Sequence, residues 1–183
     1  KGGIDIILTA MQQHPGSTGV QEEGCRALGN VARNAANQRT IAEKGGIDII
    51  LTAMQQHPGS TKVQKEGCYA LGNVAYNNAA NKRTIAEKGG IDIILTAMQQ
   101  HPGSTKVQKE GCYALGNVAY NNAANKRTIA EKGGIDIILT AMQQHPGSTG
   151  VQKEGCMALG NVAASNDANK RTIAEKGGID IIL

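Results

Sequence analysis

Along the stretch from Lys62 to Tyr76, the residues Lys62, Glu66, Tyr69, Asn73 and Tyr76 are spaced +4, +3, +4 and +3. On a helix turning about 100° per residue they share one stripe. Every tyrosine of the chain lies on this stripe or its copy (Tyr69, Tyr76, Tyr113 and Tyr120), although the chain has no Trp and no Phe. Such a stripe suits recognition, not bond-making. An aromatic wall holds an aliphatic stem or a guanidinium, at about 0.5–2 kcal/mol per cation–π contact. A carboxylate beside it adds a charge-assisted hydrogen bond. A carboxamide donates and accepts at once, so one Asn can satisfy both the N–H and the C=O of an extended peptide residue. No nucleophile–base pair, glycine-rich phosphate loop or metal-ligand spacing is present. Neither an enzyme nor a cofactor or metal site is therefore expected.

Other reactive residue types recur once per repeat. His14, His57, His101 and His145 each precede Pro–Gly at an expected helix end, where the helix dipole favours them. Cys25, Cys68, Cys112 and Cys156 recur at the same interval. Equivalent atoms on stacked helices lie about 8–10 Å apart, beyond the roughly 7 Å that a disulfide tolerates. Packed, reduced thiols are expected, and with them a reducing location, cytoplasmic or nucleocytoplasmic for a natural protein. Asp5, Asp48, Asp92, Asp136 and Asp180 fall in the first turn of a helix, where negative charge is favoured.

The elements that must position the stripe follow from repetition. The octet KGGIDIIL begins at Lys1, Lys44, Lys88, Lys132 and Lys176, a period of 43 residues once and 44 thereafter. Ankyrin and tetratricopeptide arrays run at about 33–34 residues per repeat, armadillo and HEAT arrays at about 40–47. A repeat of this kind cannot bury its apolar face alone. The expected architecture is thus a single solenoid over 1–183, with units 1–43, 44–87, 88–131 and 132–175 and a partial fifth, 176–183. Within a unit, Ile47, Ile50, Leu51 and Met54 mark a medium helix that ends at His57–Pro58–Gly59. Thr61 and Gln64 read as a capping box opening a long helix to about Asn77. A short helix from Asn81 to Lys88 stops at Gly89–Gly90. Val63, Gly67, Ala70, Leu71 and Val74 form the buried sector of the long helix, bordered by Cys68 and Ala75. Gly67 permits close helix approach; Gly72 either opens room for a ligand or is tolerated.

Comparison of the copies separates packing from the accessible face. Along the long helix only four positions differ: Gly19/Lys62/Lys106/Gly150, Glu22/Lys65/Lys109/Lys153, Arg26/Tyr69/Tyr113/Met157 and Arg33/Tyr76/Tyr120/Ala164. All four project away from the core. Another difference falls at Gln38/Lys82/Lys126/Lys170.

The segments Glu66–Asn77 (EGCYALGNVAYN) and Asn81–Leu95 (NKRTIAEKGGIDIIL) resemble armadillo repeats, the family of importin-α and β-catenin, and the resemblance covers essentially the whole chain. It implies an all-α, right-handed α-solenoid superhelix with three helices per repeat. In peptide-binding members the long third helices line a concave groove, where an Asn ladder clamps the ligand backbone beside aromatic and acidic positions. Carried over, the ladder falls on Asn30, Asn73, Asn117 and Asn161, the aromatic position on Tyr69 and Tyr113, and the acidic position on Glu23, Glu66, Glu110 and Glu154. Tyr76 and Tyr120 extend the tyrosine stripe. The chain departs from the family pattern in having Tyr where Trp is usual, with Arg26 and Met157 at the outer copies. Lys62 and Lys106 flank the groove.

Three functions fit these residues: a module holding an extended peptide or disordered segment, a structural or consensus-type engineered scaffold without a ligand, or an adaptor for a folded partner. A small-molecule substrate is not expected. A net charge of +4 without a basic run speaks against a nucleic-acid track, and no stretch approaches the roughly 18 apolar residues of a membrane span. Near-identical copies point to a recent tandem expansion or a consensus design. Ile179, Ile181, Ile182 and Leu183 would hang uncovered, so the chain is either a window on a longer array or stacks head to tail.

Overall fold

The computed structural model describes residues 2–178, which form twelve α-helices and, among the described residues, no strand. The first unit holds α1 (Gly3–Gln13), α2 (Thr18–Val31) and α3 (Ala35–Glu43). The second holds α4 (Gly46–Gln56), α5 (Thr61–Ala75) and α6 (Ala79–Glu87), and the third α7 (Gly90–Gln100), α8 (Thr105–Ala119) and α9 (Ala123–Glu131). The fourth holds α10 (Gly134–Gln144), α11 (Thr149–Ala163) and α12 (Asp167–Glu175). Lys1, Ile179, Asp180, Ile181, Ile182 and Leu183 lie outside the described residues.

Local signals set the helix ends, with three corrections. The long helix stops at Ala75, short of Asn77, and the short helix starts at Ala79 under the cap of Asn78. The capping box does not form. Ser60 is the cap, its Oγ accepting from the Val63 N–H at 3.3 Å. Gln64 is buried instead, and its Nε2 donates to the Met54 and His57 carbonyls at 2.7 and 2.9 Å. The Met54 carbonyl is one that the end of α4 leaves without a backbone partner, because Pro58 has no N–H, while the His57 carbonyl also accepts from the Ser60 N–H at 3.0 Å. Gly89 takes a left-handed φ of 74° between α6 and α7, as the Gly–Gly pair requires. The one-residue difference in period has a concrete cause. Asn77, Asn121 and Ser165 adopt φ of 50°, 53° and 54° after their long helices, a turn residue that the first unit lacks.

The core sector is as the period demands. Val63, Ala70, Leu71 and Val74 are fully buried, and Cys68 and Ala75 join them. At Gly67 a Cβ would stand 2.4 Å from the Met54 Cγ, so the missing side chain is what lets α4 and α5 approach. Successive long helices α2, α5, α8 and α11 pack side by side, as do successive medium helices, and each short helix also bears on the long helix of the next unit.

Polar ties between units were not visible one helix at a time. His57 Nε2 meets the Pro15 carbonyl at 2.7 Å, and its Nδ1 faces Thr18 Oγ1 at 3.3 Å. Because the carbonyl only accepts, the ring proton must sit on Nε2. His101 and His145 repeat the contact with Pro58 and Pro102. Asp48 pairs with Lys88 of the next unit at 2.7 Å, and Asp5, Asp92 and Asp136 pair likewise with Lys44, Lys132 and Lys176. Most telling is Asn81. Its buried Nδ2 donates to the Val74 carbonyl at 2.9 Å and to Gln38 of the preceding unit at 3.2 Å. Asn125 and Asn169 do the same one and two units on. The asparagine in the first turn of α6, α9 and α12 is therefore a structural rung.

Candidate functional site

The parallel long helices bring the predicted stripe residues of adjacent units together. Tyr69 reaches across from α5 to α2, where its hydroxyl donates to Asn30 Oδ1 at 3.0 Å. Tyr113 repeats this one unit on, donating to Asn73 Oδ1 at 2.9 Å. Asn73 Nδ2 in turn donates to the Tyr69 carbonyl at 3.1 Å. Half-burial pushes the Tyr113 phenol above its ordinary value. Asn161 Nδ2 donates to the Gly116 carbonyl at 3.0 Å. Asn117 is buried, and its Nδ2 has no hydrogen-bond partner.

The rings rest on glycines. A Cβ on Gly72 would lie 2.6 Å from both Cδ1 and Cε1 of Tyr113, and one on Gly29 would meet Tyr69 in the same way. Gly72 thus makes room for the tyrosine of the next unit, not for a ligand. Gly116 offers the same notch to the Met157 methyl group.

The acidic positions are occupied by neighbours. Glu66, Glu110 and Glu154 are buried, and each is paired with the lysine before it: Lys65 at 2.5 Å, Lys109 at 3.0 Å and Lys153 at 3.3 Å. The hydrogen bond to Glu110 raises the Lys109 ammonium above its ordinary value. Glu23 is exposed and pairs with Arg26, and Glu22 lies 3.6 Å from Lys62. Among the described residues Arg33 and Lys106 have no carboxylate within salt-bridge distance. The face therefore has no spare acid and carries surplus positive charge.

Tyr76 and Tyr120 stand apart from the wall. Each sits at the residue after its helix, with a ψ of 121° that turns the chain away, and they are 52% and 45% exposed. Lys82 of the preceding unit lies 4.9 Å from the Tyr120 ring centre and donates to the Tyr120 carbonyl at 2.6 Å. Burial holds this ammonium below its ordinary value. Lys126 and the Ala164 carbonyl form the corresponding bond. The varied position Gln38/Lys82/Lys126 thus ties one unit to the end of the next long helix, a role that its exposed-looking residue types concealed. The conserved-in-every-copy Asn81 rung was concealed likewise; its signal was its identity in all four copies at a position outside the apolar pattern.

Comparison with known proteins agrees with this fold. The family model described as the LRRK2 ARM repeat matches residues 3–177. A short segment is 53% identical over 36 residues to Protein aardvark of Dictyostelium discoideum, covering 20% of this chain and 5% of that protein. The matched segment is thus about a twentieth of that relative's length. An engineered protein of known structure superposes with a TM-score of 0.86 at 24% identity, over 99% of this chain and 70% of the other. A designed armadillo repeat protein in complex with the peptide (KR)4 superposes at 0.83 with 23% identity, over 96% and 70%. At such identities the likeness is one of fold. Three helices per unit, long helices in one parallel layer and a family model spanning nearly the whole chain lead to one conclusion: the chain belongs to the armadillo repeat family and is an all-α solenoid scaffold.

Proposed function

We propose that the chain holds an extended peptide along the face of its long helices α2, α5, α8 and α11. The observation that carries this reading is the repeated juxtaposition of a tyrosine from one unit with an asparagine of the unit before it, Tyr69 on Asn30 and Tyr113 on Asn73. Such pairs give a bound chain an aromatic wall and a carboxamide once per unit. The designed armadillo protein of similar fold in complex with the peptide (KR)4 supports peptide binding as a use of this fold. No single pocket suffices for strong binding, so affinity scales with the number of complete units.

The charge of the ligand follows from the pairing described above. A basic peptide must displace lysines from Glu66, Glu110 and Glu154, whereas an acidic one meets Arg33 and Lys106 directly. The test is a calorimetric titration with three octapeptides, alternating Ser–Glu, Ser–Asn and Lys–Arg, at low salt. Binding is expected in the order acidic, neutral, basic, and Tyr69→Ala with Tyr113→Ala should weaken the acidic peptide by about tenfold or more. No binding of any peptide, or binding that ignores the double substitution, would leave a scaffold without a groove ligand.

A further inference from the structure

Once the tyrosine hydroxyls are placed, the four groove asparagines are not equivalent. Asn73 is held at both ends: its Oδ1 accepts from Tyr113 and its Nδ2 donates to the Tyr69 carbonyl. Asn30 has its Oδ1 filled by Tyr69. Asn161 has its Nδ2 committed to the Gly116 carbonyl. Asn117 differs because the next unit carries Met157 where the second and third carry tyrosine. A thioether has no proton to donate, so nothing replaces the hydroxyl that closes Asn73.

The other half of the same carboxamide is unpaired as well. Asn117 Nδ2 is sealed from solvent, and it alone among the buried side-chain polar atoms described has no partner. Folded proteins pair the large majority of buried side-chain polar atoms, so an orphan at a repeated position asks for a reason. The Tyr113 hydroxyl, on the same helix, is spent on Asn73 Oδ1 at 2.9 Å.

We propose that Asn117 is the open rung of the groove, the one ladder asparagine with neither carboxamide atom hydrogen-bonded within the protein, so that it receives the backbone of a bound peptide without first breaking such a bond. Asn30 and Asn73 are rungs closed by the tyrosine of the following unit, and the Tyr-to-Met difference at 157 sets where a ligand anchors. This rests on the peptide-holding function above and deepens it, because the same tyrosines that wall the groove also compete for its carboxamides. Rotation of the untethered Asn117 side chain lets its Oδ1 accept a ligand N–H while its Nδ2 leaves the buried position to meet a ligand carbonyl.

Two conservative substitutions test it in opposite directions. Met157→Tyr closes the rung, and it fits, because Gly116 leaves beneath it the notch that Gly72 leaves beneath Tyr113. Tyr113→Phe keeps the ring and removes only the hydroxyl, so it opens Asn73. With the Ser–Glu octapeptide as probe, Asn117→Ala and Met157→Tyr should each weaken binding by about tenfold, Asn73→Ala by less than about threefold, and Tyr113→Phe should strengthen it by about threefold or more. Side-chain amide resonances read the ligand-free state: Met157→Tyr should shift the Asn117 amide, with circular dichroism confirming an unchanged helix content. Equal losses at Asn73 and Asn117, or no gain from Tyr113→Phe, would overturn the open rung while leaving peptide binding intact. A wild-type chain that binds none of the three octapeptides would overturn both.

Discussion

Raising the pH from 7 to 10 is expected to remove about 4 kcal/mol from the stability of the folded chain, with three buried thiols responsible. Burial pushes Cys25 and Cys112 up to about 12, and Cys68 rises further still. A carboxylate of the next unit adds to each: Glu66 for Cys25, Glu110 for Cys68 and Glu154 for Cys112. Once the chain unfolds, these thiols return to the ordinary value of 9.0. Above that value the unfolded chain sheds protons that the folded chain keeps, so stability falls as pH rises and is level below it. At pH 10, one unit above the unfolded value, the three thiols together account for about 4 kcal/mol. Urea denaturation at pH 7, 8.5 and 10 measures the fall. Replacing Cys25, Cys68 and Cys112 with Ala lowers the baseline by opening small cavities, but it should flatten the pH dependence, and that slope is the diagnostic. A slope as steep as the wild type's would assign the loss to other groups.

The thiol case also shows what a repeat sequence makes legible. The period, the three helices of each unit and the core sector were readable, because Val63, Gly67, Ala70, Leu71 and Val74 obey a rule that one helix can express by itself; the ends of the long and short helices were each misplaced by about two residues. Reduced cysteines followed from the same spacing, and the structure shows Cys25, Cys68, Cys112 and Cys156 as free thiols. What stayed hidden depends on the next copy. Gln64 looked like half of a capping box because its type and spacing fit one, yet the end of α4 lies beside it and supplies two carbonyls, those of Met54 and His57, as acceptors. Gly72 read as either space for a ligand or a tolerated gap, and it is Tyr113 of the following unit that fills the space. Glu66 and Glu110 were assigned to a ligand's charge, while Lys65 and Lys109 stand one residue away and pair with them. On a helical wheel adjacent residues point about 100° apart, and only long, flexible lysine stems bring such neighbours into contact.

A further large effect separates the two asparagine ladders of this chain. Asn125→Ala is expected to destabilise the fold by about 2–4 kcal/mol, the sum of two carbonyls that lose a buried donor. Its Nδ2 spans the Lys82 carbonyl of the preceding unit at 3.1 Å and the Val118 carbonyl of its own long helix at 3.0 Å. Neither carbonyl gains water in exchange, since Asn125 is 3% exposed. The loss falls on the junction between the second and third units, and a solenoid is held together by such nearest-neighbour junctions. Denaturation of the variant should therefore broaden, with a lower apparent m-value as the halves begin to unfold separately. Asn73→Ala removes as many hydrogen bonds, but one of them belongs to the partly exposed hydroxyl of Tyr113, which can turn to water. Its cost should stay near 1 kcal/mol with the transition still sharp. The pair of substitutions thus distinguishes an asparagine that couples units from one that faces the groove. Equal costs and equally sharp transitions would mean that unit coupling resides in the apolar core, with the inner ladder contributing no more than any surface amide.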